Sequence, residues 1–405
     1  MDTTLHWLLT AGRFAAGPVE LLSGLAERLC ADGLDLLRVN VVPRTLHPQI
    51  GMMLYVWRPR EAPDELRKSA NVVESAFTPS TFGLVQEVAL AHGWSEVEAF
   101  RQSPLHVIYN GTPRVRARIV AGARDFEFPI LKDLAAAGAT DYVAWPLRLG
   151  DGTVSAITLT TRRPGGFTDA ELEKLEALLD PLAMCVEIHL RGHVARSLLH
   201  TYLGRGPGEA VLAGRVRRGD VERMEAAIWF SDLRGFTQAS TSIAPAELVA
   251  WLNEYFSTLA KPIADGGGEI LKFIGDAILA VFPVTAERPR AAACEAALRA
   301  AVSANADLDA LNVRRVARGL PELAHGIGLH VGEVQYGNIG ADRRLDFTVI
   351  GRAVNMASRI ESLCGKLGRR TLATEDLASL AGGGLAPVGT YELKGMPGEH
   401  AVYGL

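Results

Sequence analysis

Three short stretches of this 405-residue sequence hold residue types suited to phosphate and metal chemistry. In Phe230-Ser231-Asp232-Leu233-Arg234-Gly235-Phe236-Thr237 a carboxylate stands where a hydrophobic run stops, and a glycine follows at once. Backbone N–H groups in such a turn can cradle phosphate oxygens while the carboxylate holds a hard cation. In Lys272-Phe273-Ile274-Gly275-Asp276-Ala277 a second carboxylate occupies the turn between two apolar runs. Two acidic side chains at adjacent strand ends can bind a pair of Mg²⁺ ions around a triphosphate. In Val354-Asn355-Met356-Ala357-Ser358-Arg359-Ile360, Asn355 and Arg359 are four residues apart and share a helical face. An amide and a guanidinium pointing the same way suit a transferring phosphoryl group, which gathers charge in its transition state. Taken singly, each stretch reads as ordinary chemistry: turn aspartates that bind backbone N–H groups, and a solvated helix face on which Arg359 pairs with Glu361 or Glu333.

The elements that must position these residues follow from pattern. Ala226–Phe230 is a buried strand, and Pro245–Ile263 is amphipathic, with Leu248, Leu252, Phe256, Leu259 and Ile263 on one face. Glu269–Ile274 and Ala277–Phe282 form a hairpin joined at Gly275-Asp276. Arg288–Leu311 is an Ala-rich helix, Ile327–Val331 and Asp346–Ile350 are strands, and Arg352–Gly365 is a helix. This mixed order predicts an α+β domain with helices packed on a largely antiparallel sheet.

The runs FSDLRGFT, GGGEILKFIGDAILAVF, GLHVGEVQYGNIG and RLDFTVIGRAVNMASRIE, in this order, resemble the class III adenylate/guanylate cyclase catalytic domain from about Ala226 to Leu405. The resemblance implies a ferredoxin-like fold, an ATP substrate and two Mg²⁺ or Mn²⁺ ions per site. It implies that Asp232 and Asp276 bind the metals, with Leu233 adding a backbone carbonyl. Gly235, Phe236 and Thr237 match the backbone over the β- and γ-phosphates, and Arg343 matches a phosphate-contacting arginine. Lys394, in YELKG, resembles a terminal-phosphate lysine. Lys272 and Thr348 match the purine-selecting pair, and Asn355 and Arg359 the ribose-orienting and transition-state residues. Lys272 can only donate, which suits adenine N1, while Thr348 can accept from N6. Many members have Asp where Thr348 stands; the Thr variant resembles a bacterial-type subgroup, some of whose members respond to bicarbonate. In this family two domains share each site, and both halves of the set are present here in one chain. A head-to-tail homodimer with two equivalent sites is therefore expected. Two alternatives stay open: a catalytically inactive nucleotide-binding or dimerisation module, and a guanylate cyclase.

The remainder of the chain reads as two further segments. Residues 1–167 close with a hairpin, Val143–Leu149 and Thr153–Leu159 around Gly150-Asp151-Gly152, in which Pro146 marks an edge or bulge. The stretch WPLRLGDGTVSAITLTTRRPGGFTDAELEKLEALL is similar to the end of a GAF-type α/β sensor domain, which implies a small-molecule or protein regulator; a ligand-free dimerisation module fits equally. Residues 168–224 form a helical connector, opened by a Thr168/Glu171 capping box, interrupted at Pro181 and broken at His200–Gly208. Residues 225–405 are the catalytic domain that the resemblance implies. Lys and Arg number 42 against 46 Asp and Glu, a balance that gives no general attraction to nucleic acid or anionic lipid. No apolar run is long enough to span a membrane, the first residues lack a signal-peptide pattern, and four scattered cysteines fit a reducing compartment, so the cytoplasm is expected. His189 and His193 are four apart but lack a ligand partner nearby and read as an ordinary helix face.

Overall fold

A computed structural model describes residues 2–63, 80–120, 122–123 and 125–405 of the chain. The chain divides into two compact units, Met1–Leu198 and Leu199–Leu405.

The first unit is built on strands β1 (Leu36–Val42), β2 (Ile50–Trp57), β3 (Ser80–Phe82), β4 (Val85–Ala91), β5 (Val115–Arg118), β6 (Asp141–Arg148) and β7 (Val154–Thr161). They form an antiparallel sheet in the order β3-β4-β2-β1-β7-β6-β5. The expected hairpin is β6–β7. Asp151 Oδ1 accepts from the Thr153 N–H at 2.9 Å, so the turn aspartate closes its own loop. Pro146 pairs with Ala156 on β7, while β5 reaches only as far as Ala144, so the proline lies on a locally free edge. One face of the sheet packs Val39, Val41, Ile157 and Leu159 against the helix Pro18–Ala31 and against Leu172, Leu175 and Leu182. The Thr168/Glu171 capping box is formed. The helix it starts ends at Glu176, and a second runs Leu179–Leu203 with Pro181 in its first turn, where a missing N–H costs nothing.

The second unit has strands β8 (Val221–Leu233), β9 (Glu269–Ile274), β10 (Ala277–Pro283), β11 (His325–Ala341), β12 (Arg344–Ile350), β13 (Thr371–Thr374), β14 (Ala386–Glu392) and β15 (Glu399–Gly404). Their order is β14-β15-β13-β11-β8-β10-β9, with β12 folded back along the distal part of β11. The pairing is antiparallel except for β11 with β13. Alternation along β8 sends Ala227, Trp229 and Leu233 to one face and Ala226 and Ile228 to the other. The first face carries the helices Pro245–Asp265 and Arg290–Ala317. The second helix is paved with alanines, Ala293, Ala297, Ala301 and Ala304 among them, so it lies close to its neighbours. On Pro245–Asp265 the deepest residues are Tyr255, Leu259 and Ile263, with Leu252 and Phe256 at the flank. The apolar stripe read from sequence is thus rotated slightly toward Tyr255, whose ring gains more from burial than Leu248.

The opposite face receives the helix Arg352–Leu367, which buries Met356, Ala357, Ile360, Leu363 and Cys364. Its close approach depends on Gly328 of β11. A Cβ there would stand 2.2 Å from the Ala357 carbonyl oxygen. A Gly328→Ala substitution should therefore destabilise the chain by about 1–3 kcal/mol, the usual range for overpacking. Urea denaturation measures it; an unchanged midpoint would mean that the helix is not held by this contact.

Candidate functional site

Strand β8 ends at Leu233, and its penultimate residue, Asp232, lies opposite Gly326 of β11. On the other side, β10 pairs Ile278 with Ser231, which carries the β9–β10 turn to the same end of the sheet. That turn is Gly275-Asp276. Gly275 takes φ of 64°, a left-handed conformation that the tight reversal requires. The two aspartates therefore meet. Burial, followed by a hydrogen bond and the charge of Asp232, pushes the Asp276 carboxyl well above the usual carboxylate range. Oδ1 of Asp232 is enclosed and has no hydrogen-bond partner among the described residues. A buried carboxylate oxygen without a donor is costly.

Two more groups stand behind the pair. Arg234 Nη2 lies 3.5 Å from Glu361 Oε1. Burial raises Glu361 to about 7; the charges of Asp232 and Asp276 add to this and Arg234 opposes it. Neither Arg234 nor Glu361 was singled out from sequence as part of the site. Arg234 was visible inside FSDLRGFT, and Glu361 was considered only as a partner for Arg359.

The donor set fits a divalent cation. No group of three or more His, Cys, Asp or Glu side chains that could hold a metal ion occurs among the described residues. The oxygens here are the two aspartate carboxylates, with the Leu233 carbonyl adjacent in the chain. Such hard ligands suit Mg²⁺ or Mn²⁺ rather than zinc. An orphaned buried carboxylate oxygen facing a second carboxyl is what a cation would satisfy.

Gly235 caps the short helix Phe236–Ser242 in a left-handed conformation. Phe236 packs on the core, and Thr237 is exposed. Lys272, on β9, donates to Asp346 Oδ2 of β12 at 2.5 Å, and this hydrogen bond holds the Asp346 carboxyl below its ordinary range. Thr348 lies two residues further along β12, on the same face as Asp346. Asp346 was not foreseen as a site residue, although its spacing from Thr348 in RLDFT is the signal that would have found it. Lys272, Arg343 and Asp346 line one open cleft. Arg343 is exposed in the β11–β12 turn, and Lys394 is exposed just after β14.

Asn355 and Arg359 are exposed on the outer face of the helix Arg352–Leu367. The ordinary partners considered for Arg359 are engaged elsewhere: Glu361 with Arg234, and Glu333 with Arg223. No hydrogen bond or ion pair joins Asn355 or Arg359 to the aspartates among the described residues. Within one chain, then, there are two separate clusters: the aspartate pair with the Gly235 turn, and an outward-facing set of Asn355 and Arg359.

Residues 221–405 match the model for the adenylate and guanylate cyclase catalytic domain. The chain is similar to an adenylate cyclase of Anabaena cylindrica, with 41% identity over 154 residues, covering 37% of this chain and 29% of the relative. It is also similar to adenylate cyclase 1 of Rhizobium meliloti, with 36% identity over 154 residues, 38% of this chain and 23% of the relative. The chain thus spans less than a third of the length of these curated relatives. Among solved structures, the adenylyl cyclase CyaB from P. aeruginosa aligns at 29% identity and a TM-score of 0.42, covering 46% of this chain and 95% of that one. Over residues 221–405 the second unit is therefore similar to adenylate and guanylate cyclase catalytic domains.

The raised carboxyl of Asp276 has a consequence for stability. The unfolded chain releases that proton at lower pH than the native one, so stability present in acid is lost as pH rises toward the native value. At pH 8 in EDTA, Asp276→Asn should melt at a higher temperature than the unsubstituted chain, and Mn²⁺ should raise the melting temperature of the unsubstituted chain only. An equal response of both proteins to Mn²⁺ would exclude Asp276 as a ligand.

Proposed function

We infer that this chain is an adenylate cyclase, converting ATP to 3′,5′-cyclic AMP and pyrophosphate at sites shared between two copies. The observation that carries the reading is the half-buried Asp232–Asp276 pair, with the enclosed, unsatisfied Asp232 Oδ1 at the end of β8. The similarity of residues 221–405 to adenylate cyclases supports it.

In the proposed reaction the ribose 3′-oxygen forms a bond to the α-phosphorus and gives up its proton. The bridging oxygen between the α- and β-phosphates departs with pyrophosphate. Two divalent ions, held by Asp232, Asp276 and the Leu233 carbonyl, would lower the pKa of the 3′-hydroxyl and neutralise the leaving group. The backbone of Gly235, Phe236 and Thr237 offers donors for the β- and γ-phosphates, and Arg343 adds a cation at the cleft edge. Lys272 donates to adenine N1 and Thr348 accepts from N6. Asp346 acts on the base through Lys272, whose ammonium it orients, and is a positioning residue. Asn355 orients the ribose, and Arg359 stabilises the charge that gathers on the α-phosphate.

Asn355 and Arg359, exposed and unengaged among the described residues, support a second copy as the bearer of the metal half of each site. The first unit, with its antiparallel sheet, closing hairpin and long exit helix, is read as a GAF-like sensor or dimerisation module that regulates the catalytic unit through residues 168–224. No described helix is long and apolar enough to cross a membrane.

Purified chain incubated with Mg²⁺ or Mn²⁺ and either ATP or GTP should yield cyclic AMP in preference to cyclic GMP. Asp346→Asn should raise KM for ATP roughly tenfold, the scale of one lost hydrogen bond to a charged group, with a smaller effect on kcat. No cyclic nucleotide with either metal would leave only a binding or dimerisation role. Cyclic GMP as the main product would overturn the reading of Lys272 and Thr348.

A further inference from the structure

The first unit buries a cation that has no counter-ion among the described residues. Arg38 of β1 is 5% exposed, yet it forms no salt bridge with any described residue. Its Nε donates to Asn40 Oδ1 at 2.9 Å, and its two terminal nitrogens have no acceptor among the described residues. The carboxylate whose charge reaches it, Asp133 on the helix Pro129–Ala136, is itself exposed and acts at longer range. Burial lowers the guanidinium to about 10. A buried charge is normally paired, because leaving it alone in a low-dielectric interior is costly.

The backbone is shaped to put Arg38 there. The register of β1 against β7 slips between Leu36 and Arg38, so that Leu36 faces Thr161 and Arg38 faces Thr160. Such a bulge re-aims side chains and is frequent beside functional sites. It turns Arg38 away from the face that packs Leu36, Val39 and Val41. On its own face Arg38 meets Thr160 directly across the strand pair, and Asn40 meets Thr158. The Thr160 hydroxyl is fully buried and has no partner among the described residues. The Thr158 hydroxyl faces Tyr142, whose charge-bearing form burial disfavours and Arg38 favours. Tyr142 belongs to an apolar cluster with Ile108, Leu131 and Leu134.

A guanidinium fork with two nitrogens free among the described residues, with an unpartnered hydroxyl on the facing strand residue, matches a planar oxyanion. There is a single positive charge, so a monoanion neutralises it and a dianion would leave excess charge buried. The apolar neighbours suit a short hydrocarbon body. We propose that the first unit binds a small monocarboxylate, whose carboxylate is received by Arg38 and the Thr160 hydroxyl.

The test is thermal unfolding of the full chain in rising sodium acetate, propionate or benzoate, against sodium chloride at equal ionic strength, with inorganic phosphate as a separate arm. At least one carboxylate should give a saturable rise in Tm that chloride and phosphate do not give. Arg38→Met should abolish that rise, and Thr160→Val should weaken the apparent affinity roughly three- to tenfold, as loss of one hydrogen bond does. If Arg38→Met does not fold, Thr160→Val decides. The proposal is overturned if no carboxylate exceeds chloride, if phosphate matches the best carboxylate, or if the response is unchanged in the folded variants.

Discussion

Two carboxylates that repel each other are held at one end of a sheet, and much of the second unit's construction is explained by that constraint. Asp232 is carried by the central strand β8, and Asp276 by the tight β9–β10 turn paired beside it. Neither can withdraw without breaking a ladder of strand hydrogen bonds. The cost appears as an upward shift of Asp276 and an enclosed oxygen of Asp232 without a donor. A fold that retains such an arrangement stores a preference for cations at that point. Behind the pair, Arg234 and Glu361 tie the end of β8 to the helix Arg352–Leu367, the element that also bears Asn355 and Arg359.

The same helix explains why the aspartate pair and the Asn355–Arg359 set stay apart within one chain. Its inner face is pressed on β11 because Gly328 has no side chain, and this fixes which residues point outward. Asn355 and Arg359 fall on the outer face and find no acidic partner among the described residues, where Glu361 and Glu333 are already paired. On the reading proposed here, that outward set is aimed at the aspartates of a second copy, and the Lys272–Asp346 pair prepares the base-reading edge before substrate arrives.

Much of this was legible in the residues. The hairpin around Gly275-Asp276, the long helices and the strand leading to Asp232 follow from periodicity and turn chemistry, although that strand runs on to Leu233, and the four ordered motifs led to the family that residues 221–405 match. What was not legible depends on tertiary proximity. Lys272 and Asp346 are 74 positions apart, and only the folding back of β12 unites them. The Arg234–Glu361 pair joins a strand end to a helix in the same way. In the first unit, one slipped register turns Arg38 inward, and bulges leave no dependable mark in a single sequence.

On the proposed function, the metal-binding and transition-state residues of one site belong to different copies. Mixing separately inactive Asp232→Ala and Arg359→Ala chains, and allowing subunits to exchange, tests it most directly. Random pairing leaves about a quarter of the sites with both residues intact, so cyclase activity should return to about that fraction of the unsubstituted level. A mixture as inactive as its two components, with exchange of subunits demonstrated, would contradict the shared site.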